Sequence, residues 1–275
     1  MNLNISEDFY SVQGEGFSNG VPSYFIRLGN CDLCCGGKNG KWLKKGTATW
    51  KCDSEQFINN FKSFEPEYLI DKWKELDILE DIINGHIHVI FSGGEPMLPE
   101  NQEAILSFIE KMDNEYYLNK IFYEIETNGT VEIDEILFNR LNQINCSPKL
   151  SNSGNPKEKR INIKSLRQIL GHQNSWFKLV VSGESDVTEF QEDFVSPLID
   201  DMLENTTNLF YQVSPLRLPS DFYSYIMSKV IVMPAMDNRD KYFEFLGMVY
   251  EMAKKYRIRA TGRNHIAVWD RSTGV

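Results

Sequence analysis

His86 to Pro96 reads HIHVIFSGGEP: a short β-rich run that ends on a Gly-Gly turn. Such a run, bounded by glycines and followed by the helical pattern of Pro99 to Glu115, is a strand, a turn and a crossover helix in that order. The same alternation extends in both directions. Strand candidates are YFIRL (Tyr24 to Leu28), KIFYEIET (Lys120 to Thr127), QINCS (Gln143 to Ser147), WFKLVVS (Trp176 to Ser182), LFYQVS (Leu209 to Ser214) and KVIVMP (Lys229 to Pro234). Helical patterns run over Pro66 to Asn84, Asp186 to Glu204 and Asn238 to Tyr256. In the last of these, Phe243, Leu246, Tyr250 and Ala253 form one apolar face. Alternation of this kind predicts an α/β fold with a parallel sheet, closed into a barrel or part of one, whose chemistry sits at the C-terminal ends of the strands. No internal repeat or Pro/Ser-rich linker interrupts it, so residues 1–275 read as one domain.

Bulk properties exclude some functions. A net charge of −10 argues against a bulk nucleic-acid binder, which needs a basic footprint. It leaves room for an anionic small substrate, since one arginine can hold a carboxylate against the global field. The start MNLNISEDFY has neither the basic end nor the apolar run of a signal peptide, and no apolar stretch is long enough to span a membrane. A cytoplasmic protein without membrane or nucleic-acid partners is expected.

The five cysteines are Cys31, Cys34, Cys35, Cys52 and Cys146. An odd count with four close together is a poor disulfide framework and points to metal or redox chemistry. Thiolates suit zinc or an iron–sulfur centre. Cys31-x3-Cys35-x16-Cys52 is unusual for a zinc ribbon, and Cys52 has no near partner, so a closed four-thiolate site is poorly supplied. Three thiolates on a four-iron cluster leave one iron open to a substrate. FSGGEP (Phe91 to Pro96) adds two glycines that let backbone approach a ligand, and Glu95 offers an anion to an ammonium group. His86 and His88 alternate on one strand face, as metal ligands or as rim residues.

Taken together, these motifs resemble those of the radical S-adenosylmethionine superfamily, and within it the 7-carboxy-7-deazaguanine synthases. FYSVQGEG (Phe9 to Gly16), the cysteine loop after YFIRL, FSGGEP, IETNGT (Ile125 to Thr130), CSPKLSNSG (Cys146 to Gly154), IVMPAM (Ile231 to Met236) and RNHIAVWDRSTGV (Arg263 to Val275) follow the family's order. The resemblance implies a partial (β/α) barrel. It implies a [4Fe-4S] cluster on Cys31, Cys35 and Cys52, with Cys35 preferred to Cys34 as the middle ligand. S-adenosyl-L-methionine would be met by Lys51, Asp53, Gly94, Glu95, Glu126, Ser147, Lys149, Met233 and Pro234. The substrate would be met by Val12, Gln13, Gly14, Glu15, Arg27, Ser92 and Val275. Magnesium would bind Ser54, where the family usually has threonine; the oxygen is kept. Ser92 likewise stands for a common threonine. An insertion over 36–51 and a possible one near 217–228 depart from the family pattern.

By the same resemblance the activity is conversion of 6-carboxy-5,6,7,8-tetrahydropterin to 7-carboxy-7-deazaguanine and ammonia, a lyase step toward queuosine and other 7-deazapurines. A flavodoxin or ferredoxin would donate the electron and the assembly would be a homodimer. The lysines between Cys35 and Cys52 are a solvated loop or a docking surface for that donor. The alternatives are a radical enzyme on a different substrate and a zinc-stabilised non-catalytic module. The former, if a glycyl-radical activase, lacks the QGEG and SPK pair; the latter lacks a good fourth ligand.

Overall fold

The computed structural model describes residues 1–36, 48–52, 54–55, 58–204, 219–236, 238–270, 272 and 274. Its strands are β1 (Leu3–Val12), β2 (Pro22–Leu28), β3 (Lys62–Phe64), β4 (His88–Gly93), β5 (Tyr123–Thr127), β6 (Gln143–Cys146), β7 (Ser175–Val181), β8 (Val230–Pro234) and β9 (Arg259–Ala260). They form one sheet in the order β3-β1-β2-β4-β5-β6-β7-β8-β9. β1 lies antiparallel to β2 and β3, and every pairing from β2 through β9 is parallel. The parallel part is the barrel portion of a partial (β/α) barrel.

Side chains alternate across the strands, and the two faces differ in chemistry. Phe177, Leu179 and Val181 of β7 and Tyr123 and Ile125 of β5 belong to the main apolar core under the helices. The intervening residues Lys178, Glu124 and Glu126 point to the other face, the barrel interior. β7 is buried along its whole length, as a central parallel strand covered on both sides must be. A charged residue in such a strand needs a partner, and the interior supplies several.

Helices cover the outer face. α1 (Glu67–Glu75) and α2 (Leu79–Ile83) divide the single helix expected over Pro66 to Asn84, because Asp77 adopts a left-handed φ of 57° between them. α3 (Pro99–Glu115) has the predicted bounds; Pro99 opens it, where a missing N–H costs nothing. The pattern over Asp186 to Glu204 becomes two helices, Glu184–Phe190 and Ser196–Glu204, joined by a π-helical turn over Gln191–Val195. The last long helix, Tyr242–Tyr256, corrects the sequence reading. Phe243 is 83% and Tyr250 51% exposed, while Tyr242, Val249, Met252 and Ala253 are buried. Leu246 and Ala253 of the expected face do pack inward, and Tyr242 joins them, its hydroxyl accepting the Arg263 N–H at 3.1 Å. LFYQVS, residues 37–47 of the first insertion and 217–218 of the second lie outside the described residues.

The segment from Gln13 to Val21 folds across the open side of the barrel. Gly14 accepts the Asn264 N–H at 2.8 Å, and the Asn19 amide donates to Thr261 Oγ1 at 3.3 Å. Phe17 stacks on Trp176 of β7 with ring centroids 4.1 Å apart, and Arg259 lies over both rings. Among the described residues no helix is long and apolar enough to cross a membrane.

Candidate active site

The C-terminal ends of the parallel strands open on one cleft. Arg27 comes to it from β2, Ser92 and Gly93 from β4, Glu126 and Thr127 from β5, Val180 from β7 and Met233 from β8; Ser147 follows β6. Its rim carries Cys31, Cys35, Lys51, Cys52 and Ser54, and its inner wall Val12, Gln13, Gly14 and Glu15.

None of the five cysteines is in a disulfide, and Cys146 is buried. Cys34 does not line the cleft, whereas Cys31, Cys35 and Cys52 do. The Cys52 N–H donates to the Cys35 carbonyl at 3.3 Å, bringing two of these cysteines together across the insertion. Burial pushes the Cys31 thiol well above its usual range, and nearby Glu95 and Asp32 add to the effect. Burial also raises the Cys35 thiol, partly offset by Lys149 and by Asn155. Thiols held neutral in this way exchange their protons for a metal when one binds. Among the described residues no three acidic, cysteine or histidine side chains close round a single ion. Cys31, Cys35 and Cys52 all line the cleft, a set of soft donors of the kind that holds an iron–sulfur cluster.

The Gly-Gly-Glu turn is held by close approach. A Cβ on Gly94 would stand 1.6 Å from the Asn30 carbonyl oxygen, and Gly93 has a φ of 111° that side chains rarely adopt. Gly93 and Gly94 line the cleft, but Glu95 does not. The expectation that Glu95 reaches into the site meets a different geometry. Its side chain is fully buried and accepts the Met97 N–H at 2.9 Å, the Thr127 hydroxyl at 2.6 Å and the Asn128 N–H at 2.6 Å. Burial raises its carboxyl to about 7, against the pull of those donors. Glu95 therefore braces the turn against the end of β5, and backbone faces the cleft.

The floor is a charge network. Lys178, 3% exposed, reaches Glu126 Oε2 at 2.5 Å and Glu15 Oε2 at 3.3 Å. Arg263 Nε donates to Glu15 Oε1 at 2.7 Å, and His265 Nε2 stands 3.7 Å from the same oxygen. The Gln13 amide donates to Glu126 Oε1 at 3.1 Å. Burial alone would raise the Glu15 carboxyl, but Arg263, Lys178 and His265 hold it well below the carboxylate range. Glu126 goes the other way: burial lifts it to about 7, opposed by Lys178 and helped by Glu124. Two carboxyls on one floor thus keep different proton affinities. Nearer the rim, Arg27 Nη1 is held by Glu7 at 2.7 Å and its guanidinium lies over the Phe9 ring, which fixes the fork.

Of the residues expected at the site, Pro234 is buried beside Met233 at the end of β8 but does not line the cleft. Asp53 and Val275 lie outside the described residues. His86 is exposed beside Asp81, and His88 faces Glu124 at 3.3 Å and stacks on Phe122, so neither reaches the cleft. The sequence reading missed Lys178 and Arg263. A lone lysine inside the apolar run WFKLVV was the available signal, since a buried charge must be paired.

A partial barrel with three thiols at the mouth of its strands is the architecture of an iron–sulfur protein, and the chain belongs to the 4Fe-4S single cluster domain family, which matches residues 12–170. The 7-carboxy-7-deazaguanine synthase of Halobacterium salinarum is 24% identical over 283 residues, covering 98% of this chain and 91% of that one. That of Pyrobaculum aerophilum is 23% identical over 274 residues, covering 99% and 97%. The synthase of Buchnera aphidicola is 33% identical over 154 residues, and the match spans 54% of this chain and only 62% of that relative. The crystal structure of QueE from Escherichia coli superposes with a TM-score of 0.52 over 95% of this chain and 94% of that one, at 19% identity, a likeness of fold.

Proposed function

We propose that the chain is a radical S-adenosylmethionine enzyme converting 6-carboxy-5,6,7,8-tetrahydropterin to 7-carboxy-7-deazaguanine and ammonia. The observation that carries this reading is the opening of Cys31, Cys35 and Cys52 onto the same cleft as a buried, charge-paired floor. When bound, a [4Fe-4S] cluster supplies the one electron that cleaves S-adenosylmethionine and starts the radical chemistry. The conversion removes only the elements of ammonia, so it consumes no net oxidant.

The remaining work falls to the chain's own groups. Gly93, Gly94, Ser147, Lys149 and Glu126 would hold S-adenosylmethionine in the cleft they line; Lys149 is steadied by donating to Ser147 Oγ at 2.8 Å. Met233 and Lys51 lie along the same walls, and Pro234 supports Met233 from behind. Arg27 offers a planar fork to the substrate carboxylate, and the buried Ser54 hydroxyl is the candidate oxygen for Mg2+ beside it. Glu15, kept ionised, accepts hydrogen bonds from the pterin's amino edge, and Gln13 pairs the adjoining polar atoms. Val12, Gly14 and Ser92 shape the pocket around it. Burial lifts the Glu126 carboxyl to about 7, which suits it to hold or release a proton as ammonia departs.

The sheet running unbroken through the described residues supports a single domain. A flavodoxin or ferredoxin would approach the rim, where Lys51 is exposed; the exposed Phe243 and Tyr250 are compatible with a homodimer. Anaerobic reconstitution with iron and sulfide, then addition of dithionite, S-adenosylmethionine, magnesium and the pterin, tests the reading by mass spectrometry. A 7-carboxy-7-deazaguanine product dependent on every component is the expected result. 5′-Deoxyadenosine without that product keeps the radical chemistry and rejects the substrate. Zinc bound in place of a cluster, with no cleavage, rejects the enzyme.

A further inference from the structure

Asn155 sits one residue beyond the CSPKLSNSG motif, 6% exposed, with its amide pressed against the cysteine loop. A helical turn over Ser151–Ser153 and a left-handed Gly154 deliver it there. Its Oδ1 accepts the Cys34 N–H at 3.0 Å, and its Nδ2 lies 3.3 Å from Cys35 Sγ. The neighbouring Ser153 carbonyl accepts the Gly36 N–H at 2.9 Å. One short segment thus grips three consecutive residues of the loop.

We propose that Asn155 tunes the iron–sulfur cluster by donating a hydrogen bond to the Cys35 thiolate, making the cluster easier to reduce. The inference rests on the reading of Cys35 as a cluster ligand. Amide orientation is a matter of network logic, because oxygen and nitrogen look alike. Here the backbone N–H of Cys34 can only donate, so the atom facing it must be the amide oxygen. The other end is then the NH2 group, and it faces sulfur. Its second hydrogen has an acceptor too: Ser153 Oγ lies 3.1 Å away, and that hydroxyl's own hydrogen goes to the Leu150 carbonyl at 2.7 Å. Every donor in the set has an acceptor with no hydrogen left over.

The two ends of the amide do different things. The oxygen fixes the loop, a structural task. The nitrogen is not needed for that task; it meets an atom whose electron density rises when the cluster takes up an electron. Reduction by dithionite transfers one electron to the cluster, breaks no bond and moves no proton. A donor beside a ligand sulfur stabilises that added charge and shifts the equilibrium toward the reduced form. The orienting contact also explains the choice between adjacent thiols. Asn155 holds Cys34 by its backbone and Cys35 by its sulfur, so the two point different ways and Cys35 alone of the pair meets the cleft.

Asn155→Asp keeps an acceptor for the Cys34 N–H and removes the donor to sulfur; Asn155→Ala removes both. The full-length chain is reconstituted anaerobically, its iron and sulfide content measured, and a poised redox titration followed by electron paramagnetic resonance without S-adenosylmethionine. At a fixed potential the ratio of reduced to oxidised cluster should fall about tenfold in Asn155→Ala, the scale of one hydrogen bond to a charged group, and further in Asn155→Asp. Unchanged titrations in both variants at full iron loading overturn the proposal. If neither variant loads a cluster, wild type decides alone. With asparagine labelled at the side-chain nitrogen by 15N, pulsed resonance of the reduced cluster should show a nitrogen coupling, and its absence overturns the proposal. A Cys35→Ala chain that keeps its cluster overturns it too. A wild-type chain that loads a cluster and cleaves S-adenosylmethionine without forming deazaguanine rejects the proposed substrate and leaves this inference standing.

Discussion

Cys35 at the rim and Lys178 on the floor are both buried titratable groups, and burial finds them in opposite company. At the rim, burial raises the thiol, and Lys149 and Asn155 offset only part of that. On the floor, burial would push the lysine down, but Glu126 and Glu15 outweigh it and hold Lys178 above its ordinary value. The rim therefore keeps neutral thiols until a metal displaces their protons, whereas on the floor Glu15 is held ionised between Lys178 and Arg263. One end of the cleft offers thiols to a metal and the other is already built from ion pairs.

The sharpest way to break this comparison is to change one cysteine at a time. Cys35→Ala should abolish both cluster loading and turnover, while Cys34→Ala should retain both, as read by iron content and product formation. Equal loss in the two variants would erase the distinction between a ligand and its neighbour. On the floor, Lys178→Met leaves two carboxyls without their shared cation and should cost about 3 kcal/mol in denaturant unfolding. A cost near zero would show that those charges are effectively solvated.

A pH series sharpens the floor further. Glu126 has its carboxyl raised from 4.5 to about 7, so the folded state binds a proton that the unfolded state has already released. Its stabilising contribution is complete below about 4.5 and is lost as pH rises through about 7. Wild type should lose about 2 kcal/mol over that window relative to Glu126→Gln, which carries no titrating group there. Parallel unfolding curves for the two proteins would contradict the shift. The smallest effect is expected at the segment that crosses the barrel. Phe17→Ala removes the stack on Trp176 and should lower stability by about 1 kcal/mol, while raising the substrate KM through Glu15 on the same segment.

The rim was legible in the sequence because its parts are local. Cys31, Cys35 and Cys52, the Gly-Gly turn and the strand runs before them are short patterns whose spacing carries their meaning, and the parallel barrel follows from their alternation. The floor is built from pairings between distant positions: Glu15 meets Lys178 across 163 residues and Arg263 across 248. No window of sequence contains such a pair. β1 escaped the strand reading for a related reason. Its Glu7 and Asp8 look like loop residues until Arg27, Tyr68 and Lys72 are seen to pair with them. The last long helix was assigned to the right stretch and its Leu246 and Ala253 pack inward, but Phe243 and Tyr250 face out while Tyr242, whose hydroxyl accepts the Arg263 N–H, is buried.

The 248-residue separation of Glu15 and Arg263 also sets an order of events during synthesis. Glu15 leaves the ribosome long before its guanidinium partner exists, whereas Cys31, Cys35, Cys52 and the Gly93–Gly94 turn emerge close together and early. A nascent chain therefore has these cysteines available before the charge pairs of the floor can close. The floor's ion pairs thus wait on closure between distant parts of the chain, whereas Cys35 and Cys52 meet through a contact between near neighbours.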